Sequence, residues 1–360
     1  MRIGIITHHY IDNYGAFLQA YALRNAVSEL FPKDEVCIID SINIKHFIIN
    51  VGGWFRFKNN ENLKCWLKKL RVPFTFSKAR KNEMSLSRRC FTVNQINKLD
   101  LDCIIVGSDE VWNYKDSKGA APVKFGAGLK CKNLISYAPS VGDAASDESL
   151  PDYVADGIRR FKAISARDEL TSQLVLRISG KEPARVLDPT FLCDFPRAEL
   201  KVDGKPYVLF YYCERLPQNV YDQIFEYAKE HDMAVYGAGE CDKRYTGITV
   251  DLTPFEWIEM FRNAEFVFTG TFHGTVFSIL NKRQFKVYLT KESRKKKVGS
   301  LLEELGIENR ETDTDFQFDL YKINSEIDYD HVFEVIGKKR EQSLQYLYTA
   351  INDCYQNDKK

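Results

Sequence analysis

The chain is 360 residues long, enough for two domains with a core each. Apolar residues make up 44% and charged residues 28%, a globular composition that excludes a disordered chain. A net charge of +1 gives no overall bias toward nucleic acid, so any electrostatic preference has to come from local patches.

The opening MRIGIITHHY has no basic start, apolar core and cleavage site in succession, and it reads as a first strand over 2–7 rather than a signal peptide. No run of 18 apolar residues occurs, so no membrane-spanning helix is expected. A helix follows over 16–30, then strands at 36–40, 101–107, 133–138, 163–166 and 184–187, with helices at 152–161 and 169–178. The pattern restarts after a charged linker at 197–205. Strands are expected at 207–212, 233–237, 265–270 and 285–289, and helices at 217–231, 253–264, 274–281 and 298–305. The helix at 253 opens on Thr253, Pro254 and Glu256, a cap, a first-turn proline and a capping-box glutamate. Residues 329–355 have helical periodicity and are expected to pack across a domain. Alternating strands and helices imply an α/β fold with mainly parallel sheets. The expected division is an N-terminal α/β domain over 1–198, carrying a basic, aromatic insertion at about 50–90, then a Rossmann-like domain over 199–328 and a C-terminal helix over 329–360.

Ligands of open α/β sheets bind beyond the carboxyl ends of the strands, so the loops after strands carry the chemistry. Four stand out. In Thr7-His8-His9-Tyr10-Ile11-Asp12-Asn13-Tyr14-Gly15, a turn leads into a helix start that can attract anions or sugar hydroxyls; the same residues also read as a plain loop with Asp12 or Asn13 as cap. Gly107-Ser108-Asp109-Glu110-Val111-Trp112-Asn113 offers Trp112 as a stacking platform and carboxylates for sugar hydroxyls, or else a helix cap beside a buried Trp. Arg167, in SARDE, can fork onto a carboxylate or phosphate, or pair with Asp168 or Glu169 at the surface. Thr269-Gly270-Thr271-Phe272-His273-Gly274-Thr275 is the sharpest signal. It sets His273 between an apolar strand and a helix start, with Gly274 allowing close approach and Thr271 and Thr275 able to donate to phosphate oxygens; the alternative is a His that only caps the turn.

His46, His231 and His331 sit in ordinary contexts, and no HExxH, GxSxG, GxxxxGKS or GxGxxG occurs, so no metal site, hydrolase elbow, P-loop or standard dinucleotide loop is expected. The nine cysteines are scattered and never spaced as CxxC, which argues against a zinc site or disulfide framework and for a reducing cytoplasm. Between Arg56 and Arg89 basic residues and aromatics interleave, with only Glu61 and Glu83 as acids. That segment reads as a solvated lobe with a small core, or else as suited to an anionic lipid surface or a lipid diphosphate.

Taken in order, IGIITHHYIDNYGAFLQAYAL, VGSDEVWN, ISYAPSVG, ISARDE, VLDPTFL and TGTFHGTVFSILNKRQF resemble the polysaccharide pyruvyl transferase family. The resemblance implies a GT-B-like architecture of two Rossmann-like domains facing a cleft, with phosphoenolpyruvate as donor, a pyruvate ketal on a sugar of a cell-surface polysaccharide as product, and no cofactor or metal. It puts the donor-binding Arg and catalytic His on Arg167 and His273. Donor contacts then fall on Thr271, Gly274, Thr275, Arg294 and Lys282, and acceptor contacts on Asp12, Asn13, Tyr14, Asp109, Glu110 and Trp112. Thr271 stands where many members have Arg, so Arg294 or Lys282 is expected to supply that cation. Glu110 replaces the usual Gln of GSDQVWN. The acceptor is expected to be a sugar, free or lipid-linked, with no nucleic acid partner, and the enzyme cytoplasmic or resting on the membrane's inner face. Two other readings stay open: a nucleotide-sugar glycosyltransferase of the same fold, and a non-catalytic glycan-binding relative.

Overall fold

The short apolar runs IGII, CIIV and LIS are too hydrophobic to leave either face in water, and they settle into a parallel sheet covered on both sides. The computed structural model describes residues 1–142, 144, 149–213, 216–289, 292–312 and 325–357, with the side chains of 292–294 and 356–357 outside that description. In chain order the elements are β1 (Arg2–Ile6), α1 (Tyr14–Leu30), β2 (Glu35–Ile38), α2 (Ile44–Trp54), α3 (Leu63–Lys69), α4 (Val72–Glu83), α5 (Val93–Asn97), β3 (Cys103–Val106), β4 (Leu134–Ser136), α6 (Asp152–Arg160), β5 (Ser165–Ala166), α7 (Glu169–Ser179) and β6 (Ala184–Arg185). They continue with β7 (Tyr207–Tyr211), α8 (Gln218–Glu230), β8 (Ala234–Gly237), α9 (Pro254–Asn263), β9 (Phe266–Thr269), α10 (Phe272–Leu280), β10 (Gln284–Tyr288), α11 (Glu292–Glu304), β11 (Glu311–Thr312) and α12 (Tyr329–Asn357).

The chain divides into two units, one of Met1–Gly53, Ser77–Asp194 and Gly337–Lys360, the other of Trp54–Phe76 and Phe195–Ile336. The first holds a sheet of order β2-β1-β3-β4 and a separate β5-β6 pair; the second holds a sheet of order β11-β10-β9-β7-β8. Among the described residues every strand pairing is parallel, as the alternating pattern implies. In the first sheet Ile5 pairs with both Ile38 and Ile105, and Ile105 with Ile135. The second sheet is aromatic: Phe210 packs against Tyr221 and Phe268, and Trp257 against Phe261 and Phe277. Helix starts follow local rules. Asn13 caps α1, Asp168 caps α7, and Thr253 with Glu256 forms the expected capping box of α9.

Three expectations need correcting. The insertion is not all part of the N-terminal domain, because Trp54–Phe76 groups with the second unit. There Asn60 donates to the Cys241 carbonyl at 3.3 Å and Lys68 to that of Ile248 at 3.3 Å. A disulfide is present after all, joining Cys65 to Cys241 across 176 residues, a separation no spacing rule reaches. Finally, α12 starts in the second unit and ends in the first, so it is not a separate C-terminal piece. Its later turns dock on the first unit, where the Tyr346 hydroxyl donates to the Ser136 carbonyl at 2.8 Å and Phe31 stacks on Tyr348. Among the described residues no helix is long and apolar enough to cross a membrane.

Two glycines test the packing from opposite sides. Gly107, just after β3, has φ +135°, and a Cβ there would lie 1.9 Å from the Tyr137 carbonyl oxygen. Gly107→Ala is expected to cost about 2 kcal/mol or more. A Cβ at Gly337 inside α12 meets nothing within 4 Å, so Gly337→Ala is expected to stabilise by about 1 kcal/mol. Urea midpoints of the two variants read both effects.

Candidate functional site

Parallel strands send all their carboxyl-end loops off one edge of a sheet. In the first unit that edge is organised around Arg167, which directly follows β5. Its guanidinium is buried and meets Asp188 through Nη1 and Asp109 through Nη2, the latter at 3.4 Å. Burial alone would lower its pKa, but Asp188 and Asp109 outweigh it and raise it. Asp188 in turn accepts from the Thr190 amide at 3.1 Å and hydroxyl at 2.7 Å, and from Ser108 Oγ at 3.5 Å. Thr7 Oγ1 donates to the Ser108 carbonyl at 3.3 Å, which ties the end of β1 to the same knot. Arg167 is thus a buried group rather than a surface one, and an incoming anion would share it with Asp188 and Asp109.

Several candidates of this unit serve the fold. Asp12 is buried against Arg80 at 2.9 Å, and burial, opposed by Arg80, pushes its pKa up to about 6. Asn13 accepts from the Ala16 amide at 2.9 Å as the α1 cap, and Tyr14 is buried in the first turn of α1. Trp112 is 0% exposed, stacked on Phe125, and donates through Nε1 to the Lys124 carbonyl at 2.9 Å. It offers no face to a sugar, which corrects the stacking-platform expectation: the residue belongs to the core. Asp109 and Glu110 are half-buried beside it, Asp109 on Arg167 and Glu110 accepting from Asn113 at 3.5 Å.

The structure adds residues that sequence reasoning did not single out. Lys124 is buried with its ammonium on His8 Nε2 and on the Gly119 carbonyl at 2.7 Å. Burial pushes the Lys124 pKa down to about 7, against the pull of Asp116 and Asp109, and burial with Lys124 lowers that of His8. His9 Nε2 faces Asp40 at 3.2 Å, and Arg89 reaches the same carboxylate at 3.0 Å. His8 and His9 lay in a loop already marked, and Asp188 in VLDPTFL. Lys124, 116 residues from His8, left no signal.

In the second unit β9 runs into Gly270 and Thr271, whose hydroxyl caps α10 by accepting from the Gly274 amide at 3.0 Å. His273 is the second residue of α10 and half-buried, at a helix start that favours an anion. Gly274 has a packing reason: a Cβ there would lie 1.9 Å from Thr269 Oγ1 and 2.9 Å from the Tyr211 ring. Thr275 spends its hydroxyl inside the helix, on the Thr271 carbonyl at 2.9 Å, so it has no proton left for a donor phosphate. Lys282 follows the far end of α10, about 13 Å along a nine-residue helix from its start, with its ammonium 5.0 Å from the Phe333 ring centre. It does not join the His273 cluster. The side chain of Arg294 lies outside the described residues. Among the described residues no group of three or more His, Cys, Asp or Glu could hold a metal ion.

The family described as polysaccharide pyruvyl transferase matches residues 13–287. No protein of curated function matches the chain. Among solved structures, a putative UDP-N-acetylglucosamine 2-epimerase from Listeria monocytogenes is similar at 9% identity and TM-score 0.49, covering 100% of this chain and 96% of that one. The glycosyltransferase SnogD from Streptomyces nogalater is similar at 12% identity and TM-score 0.45, covering 98% of each chain. The E. coli heptosyltransferase WaaC with ADP has 10% identity and TM-score 0.42, covering 94% of this chain and 100% of that one.

Two stability measurements follow from these buried charges. Asp188→Asn leaves Arg167 buried with one carboxylate instead of two and is expected to cost about 3–5 kcal/mol in urea unfolding. Lys124 releases its proton near pH 7 when folded but keeps it to about pH 10.4 when unfolded, so the unfolded chain binds more protons between those values. Its contribution to stability therefore rises with pH across that window, and the rise is expected to vanish in Lys124→Met.

Proposed function

The chain belongs to the polysaccharide pyruvyl transferase family and is a transferase, and on that premise we propose that it moves the pyruvyl group of phosphoenolpyruvate onto a sugar of a cell-surface polysaccharide or its precursor, as a ketal. The observation that carries this reading is the family match over residues 13–287, which includes the strand–Thr271–His273–Gly274 helix start.

The reaction protonates C3 of the donor enol and leaves C2 electron-poor. One sugar hydroxyl attacks C2, phosphate departs, and a second hydroxyl closes the ketal. One hydroxyl proton ends on C3 and the other leaves with phosphate. His273 is the residue we assign to proton transfer, since an imidazole titrates near neutral pH and sits at a helix start suited to the donor's negative charge. Arg167 is assigned to the donor's anionic groups. Asp109 and Glu110 remain the carboxylates for acceptor hydroxyls, and no metal or cofactor enters the scheme.

With phosphoenolpyruvate as donor, the proposal includes a cytoplasmic location. A lipid-linked acceptor is the finer form of the proposal, and the segment Trp54–Phe76 supports it: Leu63, Leu67 and Phe74 are exposed, with Phe74 at 74%, beside the basic Lys64 and Arg71. Exposed apolar groups with neighbouring positive charge suit an anionic membrane surface.

Steady-state kinetics of His273→Ala test the central assignment. Turnover at saturating phosphoenolpyruvate is expected to fall by about 10²–10⁴. A raised KM with unchanged turnover would restrict His273 to holding the donor.

A further inference from the structure

A cavity of about 370 Å³ opens in the first unit beyond the carboxyl ends of β1 and β2, within the size range of small-ligand sites. Thr7, Tyr10, Ser41, Asn43, Lys45 and Lys124 are polar members of its wall, with Thr92 at the start of α5, and the remaining lining is apolar. No carboxylate lines it, whereas two lysines do.

Lys124 is the unusual member. The residue is 4% exposed, and its ammonium contacts His8 and the Gly119 carbonyl. An ammonium has three N–H groups, so one remains beyond those two partners. The charged and titratable groups around it are His8 from the loop after β1, His46 from α2, and Asp109 and Asp116 from the stretch after β3; Arg167 acts on His8. The two carboxylates act on Lys124 at a distance and are engaged elsewhere: Asp109 holds Arg167, and Asp116 accepts from the Lys118 and Gly119 amides at 3.0 Å each. A buried amino group without a contacting anion is costly to keep charged, which is why its proton is held weakly. An anion brought into the cavity would supply the missing partner. Thr7, Ser41, Asn43 and Tyr10 offer hydroxyl and amide partners of the kind a sugar ring uses, beside an apolar wall for its carbon face.

We propose that this cavity binds a sugar bearing an acid group, with Lys124 contacting the anion and the hydroxyl-lined wall contacting the ring. Identifying that sugar as the acceptor rests on the pyruvyl transferase reading; the binding site itself does not.

Isothermal titration without phosphoenolpyruvate keeps the two claims apart. Glucuronate probes a carboxylate, glucose 1-phosphate a phosphate, and glucose the neutral ring. At least one acidic sugar is expected to bind about tenfold more tightly than glucose, the effect of one charge-assisted hydrogen bond. Repeating the titration in buffers of different ionisation enthalpy is expected to show proton uptake approaching one per site at pH 8, as Lys124 regains its charge. Lys124→Met is expected to lose the preference, and Ser41→Leu, which fills the cavity, to lose binding altogether. The proposal is overturned if glucose binds as well as both acids, if binding takes up no proton, if a folded Lys124→Met keeps the preference, or if none of the three sugars binds.

Discussion

Arg167 carries a permanent charge into the interior of the first unit, and the loops around it are arranged as that charge requires. A buried guanidinium is tolerable only with carboxylates and hydrogen-bond acceptors already in place. Asp188 and Asp109 supply them from two different loops. Thr190 and Ser108 hold Asp188, and Thr7 holds the Ser108 backbone, so the ends of β1, β3 and β5 are tied through one ionic knot. The parallel pairing of β1 with β3 brings their loops to one edge of the four-stranded sheet, and Arg167 joins them from the end of β5 in the separate β5-β6 pair.

The same edge shows a division of labour that residue type alone does not reveal. Asp12, Asn13, Tyr14 and Trp112 are committed to ion pairing, capping and core packing. His8 and Lys124 are buried as well, yet Lys124 borders an open cavity. In the second unit α10 follows the same economy. Thr271 caps, Gly274 lets the helix sit against Thr269, and Thr275 bonds back into the helix.

The fold was largely legible in the sequence because its signals are local. Strand runs such as CIIV and FVFT, and caps such as Thr253 with Glu256, lie within a few residues of the elements they define. The four helices between Ile44 and Asn97 carry no clear sequence signal, since charged and aromatic residues there follow no clear period. Long-range partners were beyond reach: Cys65 with Cys241, Asp12 with Arg80, Lys124 with His8 and Arg167 with Asp188 join residues that only the folded chain brings together. Lys282 was misplaced for a related reason, since closeness in sequence to His273 hides the length of the helix between them. The motifs nevertheless sufficed for the family, because six of them recur in order.

The most direct test of the account is to incubate the protein with phosphoenolpyruvate and polysaccharide-derived oligosaccharides and follow phosphorus and proton NMR together. The account predicts inorganic phosphate and a ketal methyl signal that rise in step, and only when a sugar acceptor is present. Unchanged phosphoenolpyruvate alongside consumption of a nucleotide sugar would contradict it.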